Sequence, residues 1–143
     1  MKQLLLFLVV TLNFSLTAQT EDYKGTYAFY SEGKDGFILD YKLQLNPDKT
    51  FLFTSYRRIM DIRGQNEYHK KGKGTWIVEN KIIRFTTETS DLDENHTLNF
   101  SGTTARVIKK SPRDLSDKVV PTALQFYKSE IRTIENLKLL LKE

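Results

Sequence analysis

The 143-residue chain contains no cysteine, only two histidines and only three prolines. Without cysteine it forms no disulfide, carries no thiol nucleophile and offers no thiol for a lipid anchor behind a cleaved leader. The histidines, His69 and His96, lie on separate segments, and no Gly-x-Ser-x-Gly sequence accompanies them. These absences argue against nucleophilic catalysis. Two carboxylates suffice for glycoside hydrolysis and nothing selects a pair, so a small envelope hydrolase ranks last among three functions considered. We expect a non-catalytic protein without a cofactor.

The first eighteen residues, MKQLLLFLVVTLNFSLTA, have the order of a secretory signal peptide. Lys2 gives a positive start, residues 4–10 are an unbroken apolar run, and Ala18 is a small residue at the end. We therefore predict cleavage after Ala18, a single domain over residues 19–143, and a secreted or periplasmic location.

A membrane anchor is the alternative interpretation of this segment. A membrane-spanning helix needs about 20 mostly apolar residues. Polar residues interrupt the run from Thr11 onward, at Asn13, Ser15 and Thr17. The interruption favours a released protein without a stable membrane anchor.

Long helical patterns are scarce after residue 20, and period-two alternation dominates. An all-β fold is predicted, either a sandwich or a barrel. Ser111, Pro112 and Asp114 predict one short helical turn near 112–118. The tail after residue 130 fits either a closing strand or a helix, and its Leu-Lys alternation favours the strand. Strands are predicted at 24–30, 37–45, 50–62, 67–79, 81–87, 96–100, 105–110 and 122–129.

The phrase Lys-Gly-Thr-aromatic occurs twice, ending at Tyr27 and at Trp76. A glycine inside a strand marks a bend, a bulge or a close approach. We predict that Gly25 and Gly74 let two strands bend and that each aromatic fills the interior two residues later. An internal duplication is the alternative, but the flanking residues do not match.

The segment 50–79 is predicted to form a hairpin that closes on RGQN at 63–66. In that register Phe53 faces Trp76, Arg57 faces Gly72, and Arg58 faces Lys71. Arg57 then shares the inner face with Phe53, and a charge placed there needs a partner. A strand that leaves the core before Ser55 would instead put Arg57 in solvent.

The Gly-x-aromatic phrase, the meander, and the stretches LQLNPDKTFLF and GKGTWIVENKIIRF resemble those of small exported bacterial proteins of the lipocalin-like type. The resemblance implies an antiparallel barrel of about eight strands that holds a small apolar or amphipathic ligand. In such a barrel Tyr27, Phe53 and Trp76 would line the apolar part of the site. Arg57 would meet an anionic head group.

The segment 55–74 is rich in positive charge and interleaves two tyrosines with its cations. The alternative function is a surface-interaction module in which this hairpin binds an anionic polymer or protein. A solvated hairpin, charged to prevent edge aggregation, is the simpler interpretation. The net charge of the whole chain, +4, is too small to indicate a nucleic-acid partner. The cations assigned to the anionic partner are Arg58, Arg63, Lys70, Lys71 and Lys73.

The acidic stretch DLDENH at 91–96 begins like a calcium-binding loop. Such a loop needs glycine at its sixth position and glutamate at its twelfth. The chain has His96 and Gly102 there, so a solvated acidic turn is predicted and no metal is expected.

Overall fold

The computed structural model describes residues 23–142, so the predicted signal peptide lies outside the described residues and stays a prediction. Within residues 23–142, no helix is long and apolar enough to cross a membrane. Eight strands form one closed barrel in sequence order. They are β1 (Gly25–Glu32), β2 (Ile38–Leu45), β3 (Thr50–Asp61), β4 (Gly64–Glu79), β5 (Ile82–Thr86), β6 (Thr104–Ile108), β7 (Ala123–Lys128) and β8 (Lys138–Lys142).

All eight strand pairs are antiparallel, and β8 closes the barrel by pairing with both β7 and β1. The tail is therefore the predicted closing strand and not a helix. The prediction of an all-β antiparallel barrel of about eight strands is confirmed. The predicted strand at 96–100 is irregular. Near 112–118 the chain makes a turn in which the Asp114 N–H donates to the Ser111 carbonyl over 3.0 Å. The described helical turn is a 3-10 turn at Thr89–Asp91.

The interior is filled by side chains that alternate with solvent-facing ones along the strands. Five phenylalanine rings pack together with centroid separations of 5.1 to 6.5 Å. Rings at these separations touch and leave no room for a ligand between them. The five are Phe51, Phe53, Phe85, Phe100 and Phe126.

The repeated phrase plays the predicted architectural role. Gly25 and Gly74 have positive φ angles of 142° and 158°. A Cβ on Gly74 would lie 2.0 Å from the Thr86 carbonyl oxygen, so only glycine fits at that bend. Tyr27 and Trp76 are each only 1% exposed and fill the barrel interior.

The predicted register of the β3–β4 hairpin is wrong by four residues. Asp61 pairs with Gly64, so the loop contains only Ile62 and Arg63. Phe53 consequently faces Gly72 and not Trp76. A two-residue loop extends both strands by pairing residues that the prediction assigned to the turn.

Residues 96–103 form a covering segment. This segment crosses the part of β4 that is not paired with β5. Its Leu98 N–H donates to the Lys71 carbonyl over 3.0 Å, and its Phe100 enters the core. A Cβ on Gly72 would lie 2.6 Å from the Phe100 ring. The second glycine of β4 is thus explained by close approach of another segment.

Candidate functional site

A pocket of about 320 Å³ opens on the inner face of β3 and β4, near their hairpin loop. β4 pairs with β5 only over its last five residues, Thr75 to Glu79, so the first half of β4 is joined to the barrel mainly through β3. This projecting hairpin forms one wall of the barrel mouth. The pocket is lined by Ser55, Arg57 and Ile59 of β3, Tyr68 and Lys70 of β4, and Thr133 of the β7–β8 connection.

Arg57 is the most unusual side chain of this pocket. It follows Phe51 and Phe53 on the inner face of β3, as the alternation predicts. Its Nε atom is buried and has no hydrogen-bond partner among the described residues. A buried donor without a partner costs about 1–3 kcal/mol, and more when it is charged. The site is therefore suited to an acceptor supplied from outside the chain.

The buried Tyr41 lies near Arg57 and does not compensate its charge. Burial raises the pKa of the Tyr41 phenol, and the positive charge of Arg57 opposes that shift. At neutral pH Tyr41 is consequently uncharged and does not act as a counter-ion to the guanidinium.

Lys70 places a second positive charge at the pocket. No carboxylate in residues 23–142 lies within salt-bridge distance of Lys70 or Arg57. Ser55 donates to the Lys70 carbonyl over 3.4 Å. Ile59 and the ring of Tyr68 add apolar surface beside the two cations. A pocket with two neighbouring cations and an apolar wall fits an amphipathic anion.

The other three predicted ligand residues lie in the packed core and do not line this pocket. The Tyr27 hydroxyl donates to the Tyr23 carbonyl over 2.9 Å. Trp76 Nε1 donates to the carbonyl of Thr50 at 3.0 Å, at the opposite end of β3 from the pocket. Phe53 packs within the phenylalanine cluster. Arg57 alone of the four reaches the mouth.

Of the five predicted anionic-partner residues, Lys70 and Lys71 both line a groove on the outer face, and the structure places the other three apart from it. Arg58 faces Glu67, so the predicted like-charge contact with Lys71 is wrong, and its Nε donates to the Gly36 carbonyl over 2.8 Å. Lys73 pairs with Asp93 at 3.4 Å, and Arg63 lies exposed in the hairpin loop. Lys70 lines the mouth pocket as well as the outer groove.

The acidic loop is organised by its own hydrogen bonds. Asp93 accepts from the His96 ring at 2.9 Å and from the amides of Asn95 and His96. These bonds, led by that of the His96 ring, hold the pKa of Asp93 well below its usual range. Among residues 23–142, no cluster of three or more acidic or histidine side chains is arranged to hold a metal ion.

Five residues of the pocket were not predicted to bind the ligand, and one of them, Lys70, was assigned to the anionic partner instead. Ile59 lies an even number of residues from Phe53 and Arg57 on β3. The alternation of side chains could therefore have predicted that it shares their face. A two-residue loop would have placed Tyr68 opposite Arg57 and Lys70 opposite Ser55. Thr133 carries no sequence signal, because its position depends on how the β7–β8 connection crosses the barrel mouth.

Comparison of the chain with protein-family models, with curated proteins and with solved structures found no match.

Proposed function

We propose that this protein is an exported, non-catalytic, lipocalin-like binding protein that holds a small anionic amphipathic ligand at the mouth of its barrel. The observation that carries the proposal is the buried Arg57 Nε, which has no partner among the described residues and lines a pocket. An anionic head group placed there would accept from Arg57 and interact with Lys70. Charge-assisted hydrogen bonds of this kind are about twice as strong as neutral ones.

The size of the pocket limits the ligand. Its volume of about 320 Å³ is near the lower end of the range for small-molecule sites. Below the pocket, Phe53 and the other core rings pack against each other. A short acyl or aromatic acid fits this space, with its apolar part against Ile59 and Tyr68. A long acyl chain extending to the bottom of the barrel does not.

Export is part of the same proposal and is supported by the order of residues 1–18. Mass spectrometry of the protein purified from its own source tests it, and we expect a chain that begins at Gln19. An intact Met1 in the purified protein would contradict export by cleavage at Ala18.

Calorimetric titration with octanoate and 1-octanol tests the ligand site. The two probes share their chain length and differ in charge. We expect octanoate to bind about tenfold or more tightly than 1-octanol, because only octanoate supplies an acceptor with a negative charge for Arg57. The variant Arg57→Gln should weaken octanoate binding by a similar factor.

Arg63→Gln is the matched control, since it removes the same charge from the exposed hairpin loop outside the pocket. It should leave octanoate affinity unchanged. Equal affinity for the two probes, or equal loss in both variants, would contradict the proposed head-group role of Arg57. Failure of the unmodified protein to bind octanoate, butyrate or phenylacetate would remove the proposed site itself.

A further inference from the structure

We infer a second anion site on the outer face of β2, β3 and β4, which binds a sulfated or phosphorylated sugar unit of an anionic polysaccharide. A groove of about 240 Å³ runs across these three strands. Its outer-face lining consists of Asp40, Lys42, Thr54, Tyr56, His69 and Lys71. This inference does not depend on the proposed function of the mouth pocket.

The strand register places one lysine on each side of the Thr54 hydroxyl. Lys42 pairs with Thr54, and Thr54 pairs with Lys71, so the three residues form one row across the sheet. Adjacent strands lie about 4.8 Å apart, so the two lysine backbones are separated by about 10 Å. Lysine side chains are long enough to converge on one oxyanion above Thr54.

Both lysines are available for a ligand. Lys42 and Lys71 are exposed, and no carboxylate of the described strands lies within salt-bridge distance of either one. Lys73, by contrast, is paired with Asp93 at 3.4 Å. Lys42 and Lys71 therefore present positive charges to the groove that no ion pair within residues 23–142 neutralises.

The neighbouring row supplies a ring platform and a carboxylate. Asp40 pairs with Tyr56, and Tyr56 pairs with His69, whose ring centroid lies 4.8 Å from that of Tyr56. Glu67 accepts from the Tyr56 hydroxyl over 3.1 Å and so fixes that ring. A sugar can stack on the ring pair, donate hydroxyl groups to Asp40, and place its sulfate or phosphate between the lysines.

The same carboxylates disfavour a nucleic acid. A polyphosphate backbone would pass Asp40 in the groove and Glu67 beside it, and like charges in contact are unfavourable. Nucleic-acid binding also draws on many unpaired cations along one surface. A sugar polymer with spaced anionic groups avoids both difficulties.

Fluorescence anisotropy with labelled dextran sulfate tests the inference, with uncharged dextran, polyphosphate and single-stranded DNA as comparison probes. We expect the protein to bind dextran sulfate and not to bind uncharged dextran. The double variant K42Q/K71Q should weaken dextran sulfate binding at least tenfold. The matched control K109Q/K138Q removes the same charge from exposed positions elsewhere, and it should weaken binding less than threefold.

Tyr56→Leu separates sugar stacking from simple charge attraction. It should weaken dextran sulfate binding and leave any polyphosphate binding unchanged. Equal loss in the two double variants would overturn the site, because it would show attraction by diffuse charge alone. Polyphosphate or DNA binding as tight as that of dextran sulfate would overturn the sugar assignment, as would an absence of any dextran sulfate binding.

These experiments test the two proposed sites independently of each other. Ser55 and Lys70 line both pockets, so neither is used as a test position. Arg57→Gln should leave dextran sulfate affinity unchanged, and K42Q/K71Q should leave octanoate affinity unchanged. Unfolding midpoints of all variants, measured alongside, show that the fold is retained.

Discussion

At the scale of single residues, Gly72 allows the covering segment to lie close to β4. An added Cβ on Gly72 would lie 2.6 Å from Phe100 and 3.1 Å from Leu98. We expect Gly72→Ala to lower the free energy of unfolding by about 1–3 kcal/mol, since the Phe100 ring must shift within a packed core. Urea denaturation measures the change.

Gly33→Ala is the control for that substitution. Its added Cβ would meet Phe37 at an ordinary 3.4 Å, so the effect should stay within about 0.5 kcal/mol. Equal unfolding midpoints for Gly72→Ala and the unmodified protein would show that Phe100 adapts without cost.

The buried hydroxyl of Tyr27 gives the fold a pH dependence at alkaline pH. Burial raises the pKa of Tyr27 to about 12 from 10.0, and the nearby Tyr23 adds to the shift. Between these two values the unfolded chain loses the proton that the folded protein keeps. The free energy of unfolding therefore falls as pH rises from 10 to 12, by about 2 kcal/mol.

Tyr27→Phe removes this ionisation. At pH 8 the variant should be less stable by about 1 kcal/mol, because the hydrogen bond to the Tyr23 carbonyl is lost. From pH 10 to 11.5 the unmodified protein should lose about 1–2 kcal/mol more than the variant. Parallel stability curves in urea titrations over this range would contradict the assignment.

At the scale of structural elements, Asp93 attaches the acidic loop to the barrel. Its carboxylate contacts His96 and Lys73, and the following segment covers β4. We expect Asp93→Ala to lower the hydrogen-exchange protection factors of the Asn95, His96 and Leu98 amides. Glu94→Ala removes the same charge from the next position, where no contact is lost, and it should leave protection unchanged.

The lowered pKa of Asp93 sets the pH at which this attachment is lost. Its ordinary value is 3.8, and the folded value is lower because the His96 ring and amide donate to the carboxylate. The stabilisation is therefore present above about pH 4 and disappears as pH falls through the folded-state pKa. Protection factors that stay constant from pH 5 down to pH 2 would show that Asp93 does not hold the loop.

Element faces were predictable from the sequence, whereas strand partners were not. The register error in the β3–β4 hairpin shifted each partner by four residues, an even number. Because side chains alternate with period two, an even shift leaves every residue on its predicted face. Arg57 therefore shares the face of Phe53 in both registers, although its assigned partner, Gly72, was wrong. The partner depends on the loop length, which the chemistry of RGQN did not determine.

At the scale of the whole molecule, the mouth pocket combines parts that are far apart in sequence. Arg57 and Tyr68 belong to one hairpin. Knowledge of its loop length would have been enough to predict that they face each other. Thr133 joins them only because the barrel closes, with β8 pairing to β1. Closure is a property of all eight strands together, so local pattern could predict the fold class but not the complete pocket lining.

Closure also makes the short strand β8 essential to the cooperativity of the fold. Leu139 is fully buried, whereas the adjacent Leu140 is 40% exposed. We expect Leu139→Ala to lower the free energy of unfolding by about 2–5 kcal/mol, because it leaves a cavity in the core. Leu140→Ala, the same change on the same strand, should cost no more than about 1 kcal/mol.

The transition of Leu139→Ala should nevertheless remain a single step. If β8 separated first, β1 and β7 would each become an unpaired edge, and the buried faces of both strands would open to water. Losing β8 therefore means losing the barrel. Trp76 fluorescence, which reports the opposite side of the core, and far-UV circular dichroism should change at the same urea concentration. A partial loss of dichroism before the Trp76 signal moves would show instead that seven strands persist without closure.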